Sequence, residues 1–189
     1  MNHHDFVLSQ AKAVIIVIDM QERLMSEVIN AKPITQNVLK IIEIAEILGI
    51  PIVVTEQNSK VFGPTLPEIK IALGKHYEPL EKLCFSSFGI DTFMNKIHKI
   101  NKTQLIFVGI ETHICVSQTA LDAVAKGYDA HVVSDAVSAR GELDHKIGLE
   151  KMHSGGIIPC TTEIAIYDLL EKAGTDAFRK ALPLLKKKS

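Results

Sequence analysis

The chain has 189 residues, 47% hydrophobic and 23% charged, which suits one domain with a sizeable core and excludes disorder as its general state. Its 21 basic and 22 acidic residues leave a formal net charge of −1, so no global field draws it to nucleic acid or anionic lipid. No apolar run reaches the roughly 20 residues of a membrane span, and the opening MNHHDFVLSQ lacks the basic and apolar regions of a signal peptide.

The first element, Ala13 to Ile18, is a continuous apolar, largely β-branched run ending at Asp19, the pattern of a central parallel strand buried on both faces. Val38, Ile41, Ile42, Ala45 and Leu48 recur at helical spacing, with Pro33 early in that helix and Gly49 as its stop. Ile50 to Thr55 reads as the next strand. The stretch from Glu56 to about Leu83, holding Gly63, Pro64, Pro67, Gly74 and Pro79, reads as a long loop. Leu105 to Val108 is a strand cut off by Gly109, and Ile114 to Lys126 a helix closed by Gly127. Ala130 to Val133 is a further strand, Leu143 to Met152 a helix, and Ile157 to Pro159 leads into a short last strand. Thr162 is placed to cap a helix through Leu170.

Strand and helix alternating at this rhythm predict an α/β, three-layer Rossmann-like fold: a mainly parallel six-stranded sheet with helices on both faces. The expected organisation is an N-terminal extension (1–12), a single domain (13–185) and a basic tail (186–189) around Lys186, Lys187 and Lys188. Ligands of such sheets sit beyond the carboxyl ends of the strands, so the residues just after each strand are the ones to inspect.

Asp19 closes the first strand there; a partly desolvated carboxylate acquires a base-like pKa, although a simple turn aspartate fits the position too. Cys115 falls where a helix begins after a strand. A helix N-terminus lowers a thiol pKa and offers N–H groups to an oxyanion, and an inert buried cysteine fits equally well. Lys82, beside Leu83, is either a surface lysine or a cation turned into the crevice. Cys84 and Cys160 have no activating partner in sequence, and three cysteines without zinc-type pairing suit free thiols in a reducing cytoplasm. The eight histidines form no metal-binding motif, His3 and His4 lying near the start of the chain, and no phosphate-binding glycine motif is present. No metal and no cofactor is therefore expected.

Together, VIIVIDMQ (14–21), VGIETHICVSQTALDA (108–123), AVSAR (136–140) and GIIPCTTEIAIYDLL (156–170) resemble the isochorismatase-like cysteine hydrolase family over nearly the whole chain. That resemblance implies an Asp–Lys–Cys triad: Asp19 as base, Lys82 as the lysine and Cys115 as nucleophile. It also implies a non-proline cis peptide at Ile110–Glu111, with the N–H groups of Glu111 and Cys115 forming an oxyanion hole. Nicotinamidases of the family carry an Asp-x-His metal site after the second strand; here that stretch reads VVTEQNSKVFGPTLPEI, with no histidine between Pro51 and Lys75. With CFSSFG (84–89), it looks instead like the isochorismatase-domain-containing branch, for which the resemblance implies no particular substrate.

The expected activity is hydrolysis of a small amide or related carbonyl through a thioester, with Gln57, Phe62, Phe88, Thr112 and His113 as pocket residues. The rival readings are a catalytically silent binding or scaffold protein on the same fold and a thiol redox sensor. The expected partners are a small-molecule substrate and further copies of the chain, as a homodimer or homotetramer, with neither nucleic acid nor membrane.

Overall fold

The computed structural model describes residues 6–186. Residues 1–5 of the expected extension, with His3 and His4, lie outside them, as do Lys187, Lys188 and Ser189 of the expected basic tail.

Strand β1 (Ala13–Ile18) is buried at every position, which explains its unbroken apolar run. The sharp turn at Gln21 and the short α1 (Glu22–Met25) lead to α2 (Ala31–Leu48), whose C-terminus is closed by Gly49 at φ 66°. Strand β2 follows at Ile52–Gln57, two residues later than its apolar run suggests. Its last two residues are the buried Glu56 and Gln57, whose polar side chains hide the strand end from a hydropathy reading.

The expected long loop from Glu56 to Leu83 is instead structured. It holds α3 (Ser59–Phe62), α4 (Pro67–Leu73), a single tight helical turn and the edge strand β3 (Leu80–Lys82). Glu56 anchors it: Oε1 accepts from Thr65 N at 2.9 Å, Thr65 Oγ1 at 2.7 Å and Tyr77 Oη at 2.8 Å. Then come α5 (Asp91–Ile100), β4 (Gln104–Ile110), a π-helical turn (Thr112–Val116), α6 (Ser117–Ala125) and β5 (Asp129–Ser138). The chain ends with α7 (Glu142–Ser154), β6 (Ile158–Cys160), α8 (Thr162–Leu170) and α9 (Asp176–Lys186). The cap of α8 is Thr161, which accepts from Ile164 N, and not Thr162, which is already helical.

The sheet order is β3-β2-β1-β4-β5-β6, and every pair is parallel. Alternate residues of β1 serve opposite faces. Ala13, Ile15 and Val17 pack in the core formed with α2, α8 and α9, while Val14, Ile16 and Ile18 join α5, α6 and α7. Residues 6–12 are tied to this body through Leu8 N to Asp168 Oδ2 (3.2 Å) and Ser9 N to Gln104 Oε1 (2.8 Å). No helix among the described residues is long and apolar enough to cross a membrane.

The strand order reverses at β1, whose neighbours β2 and β4 lead in opposite directions, and the crevice opens there. The register levels the strand ends: Ile18 lies beside Thr55 on one side and Gly109 on the other, and Gln57 beside Lys82. Gly109 sits at φ 113°, and a Cβ there would fall 2.1 Å from the Ile18 carbonyl oxygen. Only glycine permits β4 to lie this close to the end of β1. Gly109→Ala is accordingly expected to lower stability by about 3 kcal/mol or more, from clash and backbone strain combined. Urea unfolding of the two proteins measures the difference.

Candidate active site

Asp19 follows β1 in the left-handed region, φ 52°, a conformation that aspartate tolerates better than most residues and that is enriched at functional positions. It turns a fully buried carboxylate toward the strand ends. Oδ1 accepts from Thr55 Oγ1 and Oδ2 from Lys82 Nζ, both at 2.7 Å.

Lys82, the last residue of β3, is not a surface lysine: its side chain has no exposure at all. Its ammonium carries three protons and meets three acceptors, Asp19 Oδ2 at 2.7 Å, Gln57 Oε1 at 2.7 Å and the Cys84 carbonyl at 3.4 Å. Gln57 is held in turn. Its Nε2 donates to the Leu83 carbonyl at 2.9 Å, and its backbone exchanges hydrogen bonds with the Gln21 side chain. The glutamine of the Asp-Met-Gln run thus joins the end of β2 to that of β1.

Cys115 lies in the π-helical turn between β4 and α6, where Val116 N reaches back five residues to the Glu111 carbonyl at 3.1 Å. Its thiol interacts with both Asp19 and Lys82. The Ile110–Glu111 peptide bond preceding the turn is cis.

The sequence leaves open whether Cys115 is a thiol lowered by a helix N-terminus or a buried one. Burial, reinforced by the Asp19 carboxylate and only partly opposed by Lys82, pushes the thiol up to about 12. Cys115 therefore rests as a neutral thiol, not the thiolate that a helix N-terminus alone would favour, because desolvation outweighs the dipole. Asp19 moves in the expected direction: burial raises its pKa, against the pull of Lys82 and Thr55.

Asp19, Gln57 and Cys115 line one cavity of about 480 Å³. Of the expected pocket residues, Gln57 and Phe62 lie on it and three do not. Phe88 is turned into the core, edge-on to Phe93 at 5.0 Å between ring centroids. Thr112 is buried and bonded to His145 Nδ1 at 2.9 Å. His113 packs against Gly148 of α7. All three are near Phe85 or Cys115 in sequence, yet none lines the cavity; His113 Nδ1 stands 3.7 Å from Glu111 Oε2, behind the wall. The wall contains residues that sequence reasoning missed: Arg23, Leu24, Glu27, Val61, Phe85, Ile110, Ile114 and Arg140. Glu111, cited for its N–H, is also a lining residue, and its side-chain Oε1 is paired with Arg140 Nε at 2.7 Å. Cys84 is half-buried outside this cavity, and Cys160 is buried in β6. Among the described residues no group of three or more His, Cys, Asp or Glu is placed to hold a metal ion.

Comparison with known proteins gives a consistent picture. The isochorismatase domain model matches residues 13–164. The chain is 31% identical over 179 residues to isochorismatase domain-containing protein 1 of Danio rerio, covering 95% of this chain but 62% of that protein. It is 30% identical over 181 residues to isochorismatase domain-containing protein 2 of Xenopus laevis, covering 94% and 85% respectively. A solved structure described as the MAR1 ribonuclease of Caenorhabditis elegans is 31% identical, with a TM-score of 0.90 over 96% of this chain and 93% of that one.

Two outcomes are expected of the buried cluster. Lys82→Met, which strands the Asp19 carboxylate, should cost about 3–5 kcal/mol in urea unfolding, and adding Asp19→Asn should recover part of that loss. The rate of Cys115 alkylation by iodoacetamide, resolved from Cys84 and Cys160 by mass spectrometry, should still climb beyond pH 10 instead of levelling near the ordinary thiol value of about 8.5. Asp19→Asn removes a neighbouring negative charge and should move that curve to lower pH.

Proposed function

The chain belongs to the isochorismatase family, and on that premise we propose that it is a cysteine hydrolase in which Cys115 attacks a small amide or related carbonyl, with Asp19 as base and Lys82 as charge partner. The observation that carries this reading is the meeting of Asp19, Lys82 and Cys115, drawn from three separate strand ends, at a largely apolar cavity of small-molecule size.

In the proposed reaction the Cys115 proton passes to Asp19 as Sγ bonds to the carbonyl carbon. Because the resting thiol is neutral, proton transfer and attack belong to one step. The Glu111 and Cys115 N–H groups receive the oxyanion. On its collapse the C–N bond breaks, and the amine leaves with the proton held by Asp19. The Asp19 carboxylate then draws a proton from water, whose oxygen attacks the thioester. The C–S bond breaks, Asp19 returns its proton to sulfur, and the acid is released. Lys82 stays protonated throughout and compensates the one negative charge that moves among carboxylate, sulfur and oxyanion.

The raised pKa of Asp19 suits a base that must both take and return a proton. The neutral, buried thiol favours this reading over a redox sensor, whose chemistry requires an accessible thiolate. Homo-oligomerisation is supported by the exposed apolar side chains Leu143 and Ile147 of α7 and Ile164 and Tyr167 of α8.

A panel of small amides should identify a substrate by amine release, with an acyl adduct on Cys115 trapped by mass spectrometry. Cys115→Ala is expected to reduce turnover by roughly three orders of magnitude or more and to abolish the adduct. Undiminished turnover of that substrate by Cys115→Ala would refute the covalent route.

A further inference from the structure

Thr55 holds Asp19 at two points. Its carbonyl oxygen accepts from Asp19 N at 3.1 Å, and its hydroxyl donates to Asp19 Oδ1 at 2.7 Å. The first contact continues the pairing of β1 with β2, in which Ile18 lies beside Thr55. The second lies outside that ladder and reaches the proton-accepting group itself. Neither residue has any exposure, so the bond is made out of reach of solvent. Val53, two residues earlier on the same face of β2, packs in the core cluster that contains Cys115, which puts the Thr55 side chain on the thiol's side of the sheet.

The two donors to the carboxylate oxygens contribute different things. Lys82 brings a positive charge to Oδ2, on a flexible four-carbon stem. Thr55 brings no charge. Its hydroxyl sits on a β-branched side chain, stiff at χ1, in a strand buried at every position. A carboxylate held at one oxygen can still turn about its Cβ–Cγ bond. Held at both, from β2 and from β3, it turns only by breaking a buried hydrogen bond. Lys82 and Cys115 are the titratable groups that interact with Asp19 directly, while Arg23, Glu27 and the Glu111–Arg140 pair line the cavity it borders. Of the three side chains that bond to this carboxylate, only Thr55 does not titrate, so its donation is present at every pH.

We propose that Thr55 is a positioning residue for the base: its hydroxyl fixes the rotation of the Asp19 carboxylate and keeps that group, in place of the Cys115 sulfur, as the seat of the shared negative charge at rest. The assignment rests on the hydrolase reading for its catalytic meaning. It divides the support of the base between two residues. Lys82 sets how much negative charge the cluster holds, and Thr55 sets where that charge lies and which way the carboxylate faces. Without the hydroxyl, Oδ1 loses its donor in a place that water does not reach, and the carboxylate becomes the less favoured form. A base that is already protonated cannot take the proton of the attacking thiol.

The charge on Asp19 can be followed without turnover, by carbon NMR of the full chain labelled at the aspartate carboxyl carbons. The Asp19 signal, identified by its absence from Asp19→Asn, should titrate above the ordinary aspartate value of about 3.9. Thr55→Val keeps the shape and removes the donor; it should raise the proton affinity of Asp19 about tenfold or more, the size expected of a hydrogen bond to a charged acceptor. Thr55→Ala, a second variant without the donor, should shift it in the same direction. Thr55→Ser keeps a hydroxyl and should stay close to wild type, with unchanged circular dichroism confirming the fold of each. A midpoint unmoved by Val and Ala, a shift to lower pH, a Ser variant that shifts as far as Val, or no Asp19 titration above about 3.9 in any of these proteins would each overturn the assignment. In a protein that hydrolyses amides, the acid limb of kcat/KM should follow the same midpoint, and an unmoved midpoint there refutes the Thr55 role alone. A midpoint that depends on the Thr55 hydroxyl, in a protein that turns over no amide, refutes the hydrolase reading alone.

Discussion

An ammonium removed from water stays charged only when its protons find acceptors and its charge finds a counter-ion. Lys82 meets both conditions with Asp19, Gln57 and the Cys84 carbonyl, and each acceptor comes from a different stretch of chain. The arrangement around it follows from that demand. Thr55 takes the other oxygen of Asp19, Gln57 is locked by Gln21 and Leu83, and Gln21 also donates to the Gly63 carbonyl at 2.7 Å. The ends of β1, β2 and β3 are thus fastened by polar bonds in a region where hydrophobic packing alone would leave them free to shift.

The sheet makes this possible by bringing strand ends to one level. β1 is apolar on both sides and lies buried between two helical layers, in register with β2 and β4, and Asp19 is the first residue beyond it. Gly109 lets β4 approach the end of β1 closely enough for the turn bearing Cys115 to reach Asp19. Neither contact is strong in isolation. Together they bring a buried thiol, carboxylate and ammonium to one place, where each influences the protonation of the others.

What the sequence made legible follows the strength of its periodic signals. β1 and β4 are long, apolar and sharply terminated, so Asp19 and the segment of Cys115 could be placed at the crevice from pattern alone. β3 has three residues, Leu80, Glu81 and Lys82, too few for any period, and lies in a segment whose prolines and glycines read as loop. Lys82 was therefore indistinguishable from a surface lysine except through family resemblance. The cavity wall was the least legible part, because Arg23, Phe85 and Arg140 meet only through the tertiary fold. Nearness in sequence was a poor guide: Thr112 and His113 adjoin Cys115, yet the π-helical turn directs one into a bond with His145 and the other against α7. A signal for Arg140 existed in AVSAR, where a charged residue follows a buried strand end, the same logic that singled out Asp19.

The charge state of the resting cluster joins its structure to the proposed chemistry. Burial raises the proton affinity of both acids, Asp19 and Cys115, while Lys82 favours a single negative charge nearby. One proton and one negative charge are thus shared between a carboxyl and a thiol. Carboxylate with thiol, and carboxylic acid with thiolate, carry the same net charge and differ only in the position of that proton. Desolvation penalises both arrangements, so moving the proton costs less than either pKa taken singly would suggest. The proton can then move as sulfur attacks without importing or exporting charge from the buried cluster. The buried lysine thus does not need to activate the thiol in the resting state; it keeps constant the field in which the proton moves.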